Sequence, residues 1–270
     1  MSRIRLDKLL VKRKIVLSED QARELIENGL ILVNGATQTS PASFVDNASA
    51  IEFVQEKSKY VSRGGFKLEK ALELFQINPA EKRCLDIGAS TGGFTDCLLQ
   101  AGAMHVVSVD VGHGQIDLSL RSDPRVSVLE KTNARSITTE NIGGFCELGV
   151  MDVSFTSVIG LIGPIVSCLN PVELIVLIKP QFECDQKDID SRGIVNNPTA
   201  HIDCINKIIS SLDKNLVLCE LAVSPIKGTK GNIEYLALIK EQQAGVDAID
   251  ESRIEQVVNS AFALPEELND

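Results

Sequence analysis

Lys179 stands in "ELIVLIKPQFE", directly after five apolar residues and directly before a proline. A single lysine at a strand end ordinarily carries its ammonium out to water on an aliphatic stem. Four acidic residues change that reading. Asp86, Asp110, Asp152 and Glu234 each sit at the boundary of an apolar run, in "CLDIG", "VSVDVG", "VMDVSF" and "NIEYLALI". An amine held beside carboxylates can take or steer a proton, while the carboxylates orient it or accept hydrogen bonds from hydroxyls. The stretch "DIGASTGGF" adds a loop whose glycines permit a tight turn and close approach of a ligand. It has neither the G-x-G-x-x-G spacing of a dinucleotide site nor the lysine of a P-loop. Asp110, 22 residues after Gly88, suits ribose hydroxyls and so an adenosine-bearing ligand, which its presence alone does not identify.

Five such charges act together only if the strands that carry them end at one edge. The runs "RCLDIG", "HVVSVDVG", "VSVLEK", "LGVMDVSF", "ELIVLIKP", "NLVLCELAV" and "NIEYLALI" read as strands, and the segments between them have helical spacing or length. That alternation predicts an α/β domain with a doubly wound, mostly parallel sheet, which binds ligands outside the carboxyl ends of its strands. Glu234 begins its run instead of ending it, so it joins the others only if that strand is reversed. Before the first strand, Leu68, Ala71, Leu72 and Phe75 recur at helical spacing.

The first sixty residues form a separate small α+β unit. Leu6, Leu9 and Leu10 follow helical spacing with Arg5, Lys8 and Lys12 on a neighbouring face. "SEDQ" opens a second helix with a capping box, and Asn34-Gly35 marks a hairpin. The expected organisation is a first domain over 1–56, a polar linker over 57–61, the larger domain over 62–242 and an acidic, solvated helix and tail over 243–270. The net charge of −10 argues at first against nucleic acid, but it is unevenly spread. Residues 1–83 hold 14 Lys and Arg against 11 Asp and Glu, while the rest hold 13 against 26. Seven scattered cysteines without a CxxC pair, and three dispersed histidines, suggest reduced thiols in a cytoplasmic protein and no metal site. The uncharged stretch 153–172 has spanning length, yet its serines, glycines and prolines favour a buried irregular helix over a membrane segment. No signal peptide is expected at the N-terminus.

The string "RLDKLL…SEDQARELIENGLILVNG" resembles the S-four RNA-binding domain named after a small-subunit ribosomal protein. The resemblance implies RNA contact through Arg3, Arg5, Lys8, Lys12, Arg13 and Arg23, with Arg63 joining from the larger domain. Glu19 and Ser40-Pro41 depart from it by removing positive charge. Further on, "YVSRGGFKLEKAL", "LDIGASTGGFTDCLL", "VDVGHGQ", "LEKTNAR", "MDVSF", "IKPQFE" and "VSPIKGTKGNIEYL" occur in the order seen in the TlyA/hemolysin A family. The resemblance spans residues 3–240. It implies an FtsJ-like, Rossmann-like methyltransferase domain with a seven-stranded sheet and one reversed strand, using S-adenosylmethionine (SAM) to methylate ribose 2′-hydroxyls, at cytidine in ribosomal RNA or ribosomal subunits. The family's Lys-Asp-Lys-Glu pattern falls on Lys67, Asp152, Lys179 and Glu234. Cofactor contacts are expected from Asp86, Gly88, Ala89, Ser90, Thr91, Gly92, Gly93, Phe94, Asp110, Val111 and Asp152. In this scheme Lys179 handles the hydroxyl proton as a neutral amine, which burial and a neighbouring cation such as Lys67 would favour. Two other classes remain in view. One is a non-catalytic RNA-binding or ribosome-assembly factor; the other, a membrane-active hemolysin, finds no spanning or lytic segment.

Overall fold

The computed structural model describes residues 3–16, 18–27, 29–53 and 58–263. The expected linker therefore begins outside the described residues, as does the tail from 264 on. The chain divides into two compact units, residues 1–59 and 60–270.

In the first unit, β1 (Arg3–Arg5) leads into α1 (Leu6–Lys12), followed by α2 (Glu19–Glu27), β2 (Ile31–Val33), β3 (Ala36–Gln38), β4 (Phe44–Asp46) and β5 (Ile51–Phe53). Ser18 Oγ accepts from the Gln21 N–H at 3.2 Å, which caps α2. Asn34 and Gly35 take positive φ angles of 50° and 79°, and the strands they join pair antiparallel. β2 also pairs with β5, while β1 pairs with β4 in a two-stranded sheet that the hydrophobic pattern does not announce. Leu6, Leu10, Ala22, Ile26 and Ile31 close the core of this unit.

The second unit opens with α3 (Gly64–Leu74), β6 (Arg83–Ile87), α4 (Gly93–Gln100), β7 (His105–Val109), α5 (Leu118–Arg121), β8 (Val126–Leu129), β9 (Leu148–Met151) and α6 (Ile159–Val166). It continues with β10 (Glu173–Ile178), α7 (Pro180–Glu183), α8 (Pro198–Ser210), β11 (Leu216–Val223), β12 (Tyr235–Glu241) and α9 (Glu251–Ala263). Its seven strands run in the order β11-β12-β10-β9-β6-β7-β8. From β10 to β8 the neighbours are parallel, and β12 is antiparallel to both β10 and β11. Glu234 therefore enters the sheet at the edge where the parallel strands leave it.

The strands are apolar on both sides because helices cover both faces of the sheet. Leu68, Leu72 and Leu98 of α3 and α4 pack on one face, and Leu161, Ile205 and Val258 of α6, α8 and α9 on the other. The last of these corrects the expectation of a solvated C-terminal helix. Ile254, Val257, Val258 and Ala261 of α9 are buried in the core, at the i, i+3, i+4, i+7 spacing of an amphipathic stripe, and the acidic residues occupy the opposite side. Among the described residues no helix is long and apolar enough to cross a membrane.

Candidate active site

Strand parity decides which face each charge meets. In β10, Leu174, Val176 and Ile178 enter the core beneath α6, α8 and α9, whereas Ile175 and Leu177 enter the core beneath α3 and α4. One residue further, the period of two turns Lys179 toward α3. Cys84, Val106, Val150 and Leu236 lie on that same face, so the same count brings Asp86, Asp110, Asp152 and Glu234 there as well. Of the five, Asp152, Lys179 and Glu234 line one cavity at that edge of the sheet.

Lys67, projecting from α3, meets them. Its Nζ lies 2.5 Å from Glu234 Oε2, and the two side chains are 11% and 3% exposed. Lys179 Nζ lies 2.6 Å from Asp152 Oδ1 and donates to Ser154 Oγ at 2.9 Å. The buried Lys67–Glu234 pair and the Lys179 pair with half-buried Asp152 thus wall a cavity of about 700 Å³ bordered by the glycine-rich loop. An adjoining cavity of about 520 Å³ is lined by apolar Val109, Val111 and Leu161 together with Asp110, and Asp152 and Ser154 line both.

The glycine-rich loop is shaped mainly by protein contacts. Gly88 has φ 80°, and a Cβ there would lie 2.3 Å from the Asp152 carbonyl oxygen, so glycine lets the ends of β6 and β9 close together. Asp110 Oδ2 accepts from the Ser90 N–H at 2.8 Å and Oδ1 from the Gly112 N–H at 2.7 Å, which ties the loop to the end of β7. Of the residues expected to hold a cofactor, Gly88, Ala89, Ser90, Thr91, Gly93 and Phe94 line the larger cavity, and Asp110 and Val111 the smaller.

Asp86 and Gly92, also expected at the cofactor, line neither cavity. The Asp86 carboxyl is fully buried and accepts from Thr95 Oγ1 at 2.6 Å, in turn 2.7 Å from Ser108 Oγ. Burial pushes this carboxyl up to about 7, against the Thr95 hydrogen bond and with help from nearby Asp152 and Asp110. It braces α4 against the sheet from below. A Cβ on Gly92, with φ 100°, would meet Leu120 Cδ1 at 2.3 Å, so its requirement is also packing.

Sequence reading missed the opposite wall. Gln181 and Phe182 of α7, Gly193 of the loop before α8, and Gly228 and Lys230 of the turn before β12 all face the larger cavity. Phe155 faces it too, 91% exposed with φ 62°, its ring centroid 5.3 Å from that of Phe182. For all but Gly193, the signal available was a position a few residues beyond a residue of the Lys-Asp-Lys-Glu pattern or a few before one.

The expected RNA-contacting residues are differently placed. Arg5 grips buried Asp7 through two hydrogen bonds of 3.1 and 2.5 Å, with Arg23 3.8 Å away, and the Arg5 bonds hold the Asp7 carboxyl below its ordinary range against the cost of burial. Arg13 donates to the carbonyls of Ser49 and Asn47, and Lys12 to Asn47 Oδ1 at 3.0 Å. Arg3 and Lys8 are exposed, and Arg63 lies on the wall of the larger cavity in the second unit.

Residues 60–241 match the model of the FtsJ-like methyltransferase family and residues 4–49 that of the S4 domain. The chain is 41% identical over 243 residues to the 16S/23S rRNA (cytidine-2′-O)-methyltransferase TlyA of Mycobacterium tuberculosis, covering 89% of this chain and 91% of that one. It is 43% identical over 237 residues to Hemolysin A of Brachyspira hyodysenteriae, covering 87% and 98%. The solved structure of a presumed hemolysin from Streptococcus thermophilus superposes with a TM-score of 0.72 at 34% identity, covering 97% of this chain and 96% of that one.

Proposed function

The chain belongs to the TlyA/hemolysin A family of FtsJ-like methyltransferases, and from that premise we propose that it methylates ribose 2′-hydroxyls of ribosomal RNA, at cytidine, with SAM as donor. The observation that carries this reading is the two lysine–carboxylate contacts, Lys67 with Glu234 and Lys179 with Asp152, that line one cavity. The chain's own residues suit the donor. Asp110 could accept from ribose hydroxyls, the apolar walls beside it would suit a purine, and the loop from Gly88 to Phe94, which borders the larger cavity, could hold the rest of the donor. When bound, SAM supplies an electrophilic methyl group on its sulfonium.

The remaining chemistry falls to the tetrad. A ribose hydroxyl is a weak acid and needs a group placed to take its proton as the oxygen attacks. Lys179 receives or steers that proton as a neutral amine, held in position by Asp152 and Ser154. Lys67 stabilises the negative charge growing on the oxygen, and Glu234 fixes the direction of its amine. The S4-like unit presents Arg3, Lys8 and Lys12 to phosphate, which positions a nucleic acid without reading its sequence.

Lys179→Met separates proton handling from a lysine that only packs its stem. Single-turnover methylation at saturating SAM and RNA should fall by roughly 10²–10⁴-fold, the usual range for acid–base catalysis, with SAM binding little changed. Turnover at the wild-type rate in a variant that binds both ligands would remove Lys179 from the chemistry. If the unaltered protein binds ribosomal RNA and SAM but methylates neither deproteinised RNA nor assembled subunits, it is an RNA-binding factor instead.

A further inference from the structure

Two amide side chains lie on the wall of the larger cavity, Asn232 and Gln181. Asn232 is engaged at both ends. Its Oδ1 accepts from the Val195 N–H at 3.1 Å and its Nδ2 donates to the Gly193 carbonyl at 2.9 Å, which holds the loop before α8 against the turn before β12. Gln181 differs. Its Oε1 is buried and meets no hydrogen-bond donor among the described residues. A buried amide oxygen without a donor is costly, and folded chains leave few such atoms. The cost is recovered when a ligand brings a donor within reach.

The backbone beneath Gln181 is fixed. Pro180 opens α7, the Phe182 N–H donates to the Lys179 carbonyl at 2.9 Å, and the Cys184 N–H donates to the Pro180 carbonyl at 2.9 Å. Buried Glu183, in the same turn, is anchored by the Ser157 hydroxyl and the Val158 N–H. The Gln181 amide is left unheld, so it can change rotamer while its Cα stays two residues from Lys179. Lys179 is the group assigned to the acceptor hydroxyl, whereas Asp110, assigned to the donor's ribose, lines the smaller cavity. An amide oxygen mounted beside Lys179 is thus placed for the nucleotide that brings the hydroxyl.

RNA bases differ in what they offer such an atom. Cytosine carries an exocyclic amino donor at N4, where uracil carries the O4 acceptor. An amide oxygen is satisfied by the first and opposed by the second. We propose that Gln181 reads the base of the acceptor nucleotide, turning its Oε1 to accept from the exocyclic amino group of cytosine. This rests on the reading of the acceptor as a ribonucleotide, and it names the residue that selects cytidine over uridine. A site built to hydrogen-bond one substrate group rejects the analogue lacking it, because its own polar atom then stays unpaired.

Three labelled tri-ribonucleotides test it on the full-length protein with SAM present. They are identical except for a central cytidine, uridine or 2-pyrimidinone ribonucleoside, the last being cytidine without its amino group. The unaltered protein should bind the cytidine trimer roughly tenfold more tightly than the other two. Gln181→Met keeps the length of the side chain but removes the acceptor, and it should bind all three alike, as the unaltered protein binds the 2-pyrimidinone trimer. An unchanged thermal midpoint would show that the variant is folded. A cytidine preference that survives in Gln181→Met, or an unaltered protein that binds the three trimers alike, would overturn the assignment. So would a uridine trimer bound as tightly as the cytidine one, since the amide would then be turning over to donate. Weaker SAM binding in a folded Gln181→Met would also overturn it, by giving the oxygen to the ammonium group of the donor. Tritiated methyl transfer to ribosomal RNA by the unaltered protein tests the function separately, so amino-selective trimer binding without methylation would sink the methyltransferase reading and leave this one standing.

Discussion

Burial raises the Asp86 carboxyl, so that below about pH 7 it keeps a proton that the unfolded chain would release above about pH 4. Its ordinary value of 3.8 is raised to about 7, foremost because no water reaches it, and its Oδ1 has no hydrogen-bond partner among the described residues. The sign follows from proton count. Between those two values the native state binds more protons than the unfolded state, so this contribution to stability is complete below 3.8 and is lost as pH rises through about 7. Thermal midpoints of the wild type should therefore decline from about pH 5 to 8, and Asp86→Asn should flatten that decline while still accepting the Thr95 hydroxyl. An unchanged pH slope in the variant would show that the carboxyl is not the group titrating. Asp86 also shows what sequence reading misses at this scale. Its position at a strand end marked it as one of the five charges, but only packing reveals that Thr95 and Ser108 draw it under the cavity floor.

Parity and strand direction were legible at the scale of elements, and they carried most of the site. Continuous apolar runs announced a sheet covered on both faces, and the odd placement of Glu234 announced the reversed strand. The walls contributed by loops were not legible, because a loop's path is set by contacts far away in the chain. Glu183 is the clearest case. From α7 its buried carboxylate accepts from Ser157 Oγ at 2.6 Å and from the Val158 N–H at 2.8 Å, joining the segment after Lys179 to the segment after Asp152. Glu183→Ala would leave the Val158 N–H buried without a partner at a cost of about 1–3 kcal/mol. It should lower both the thermal midpoint and the methylation rate, while Glu183→Gln, which can still accept that hydrogen bond, should recover most of both. A wild-type midpoint in the alanine variant would show that the two segments hold their places without this tie.

For the whole molecule, charge and fold divide the labour. Residues 1–83, the S4-like unit with α3 and the start of β6, hold 14 Lys and Arg against 11 Asp and Glu, and residues 84–270 hold twice as many acids as bases. Deleting residues 1–59 should weaken RNA binding and its salt dependence, measured by titration across ionic strength, while SAM binding persists in the separate second unit. Undiminished RNA affinity in the deleted protein would move recognition wholly to the catalytic domain. The acidic exterior has a kinetic consequence as well. Away from its cationic side chains the larger unit would repel an RNA backbone, so a misplaced encounter should be short-lived. A protein of this charge distribution would search RNA by brief independent collisions, with a long residence time expected only where both units are engaged together.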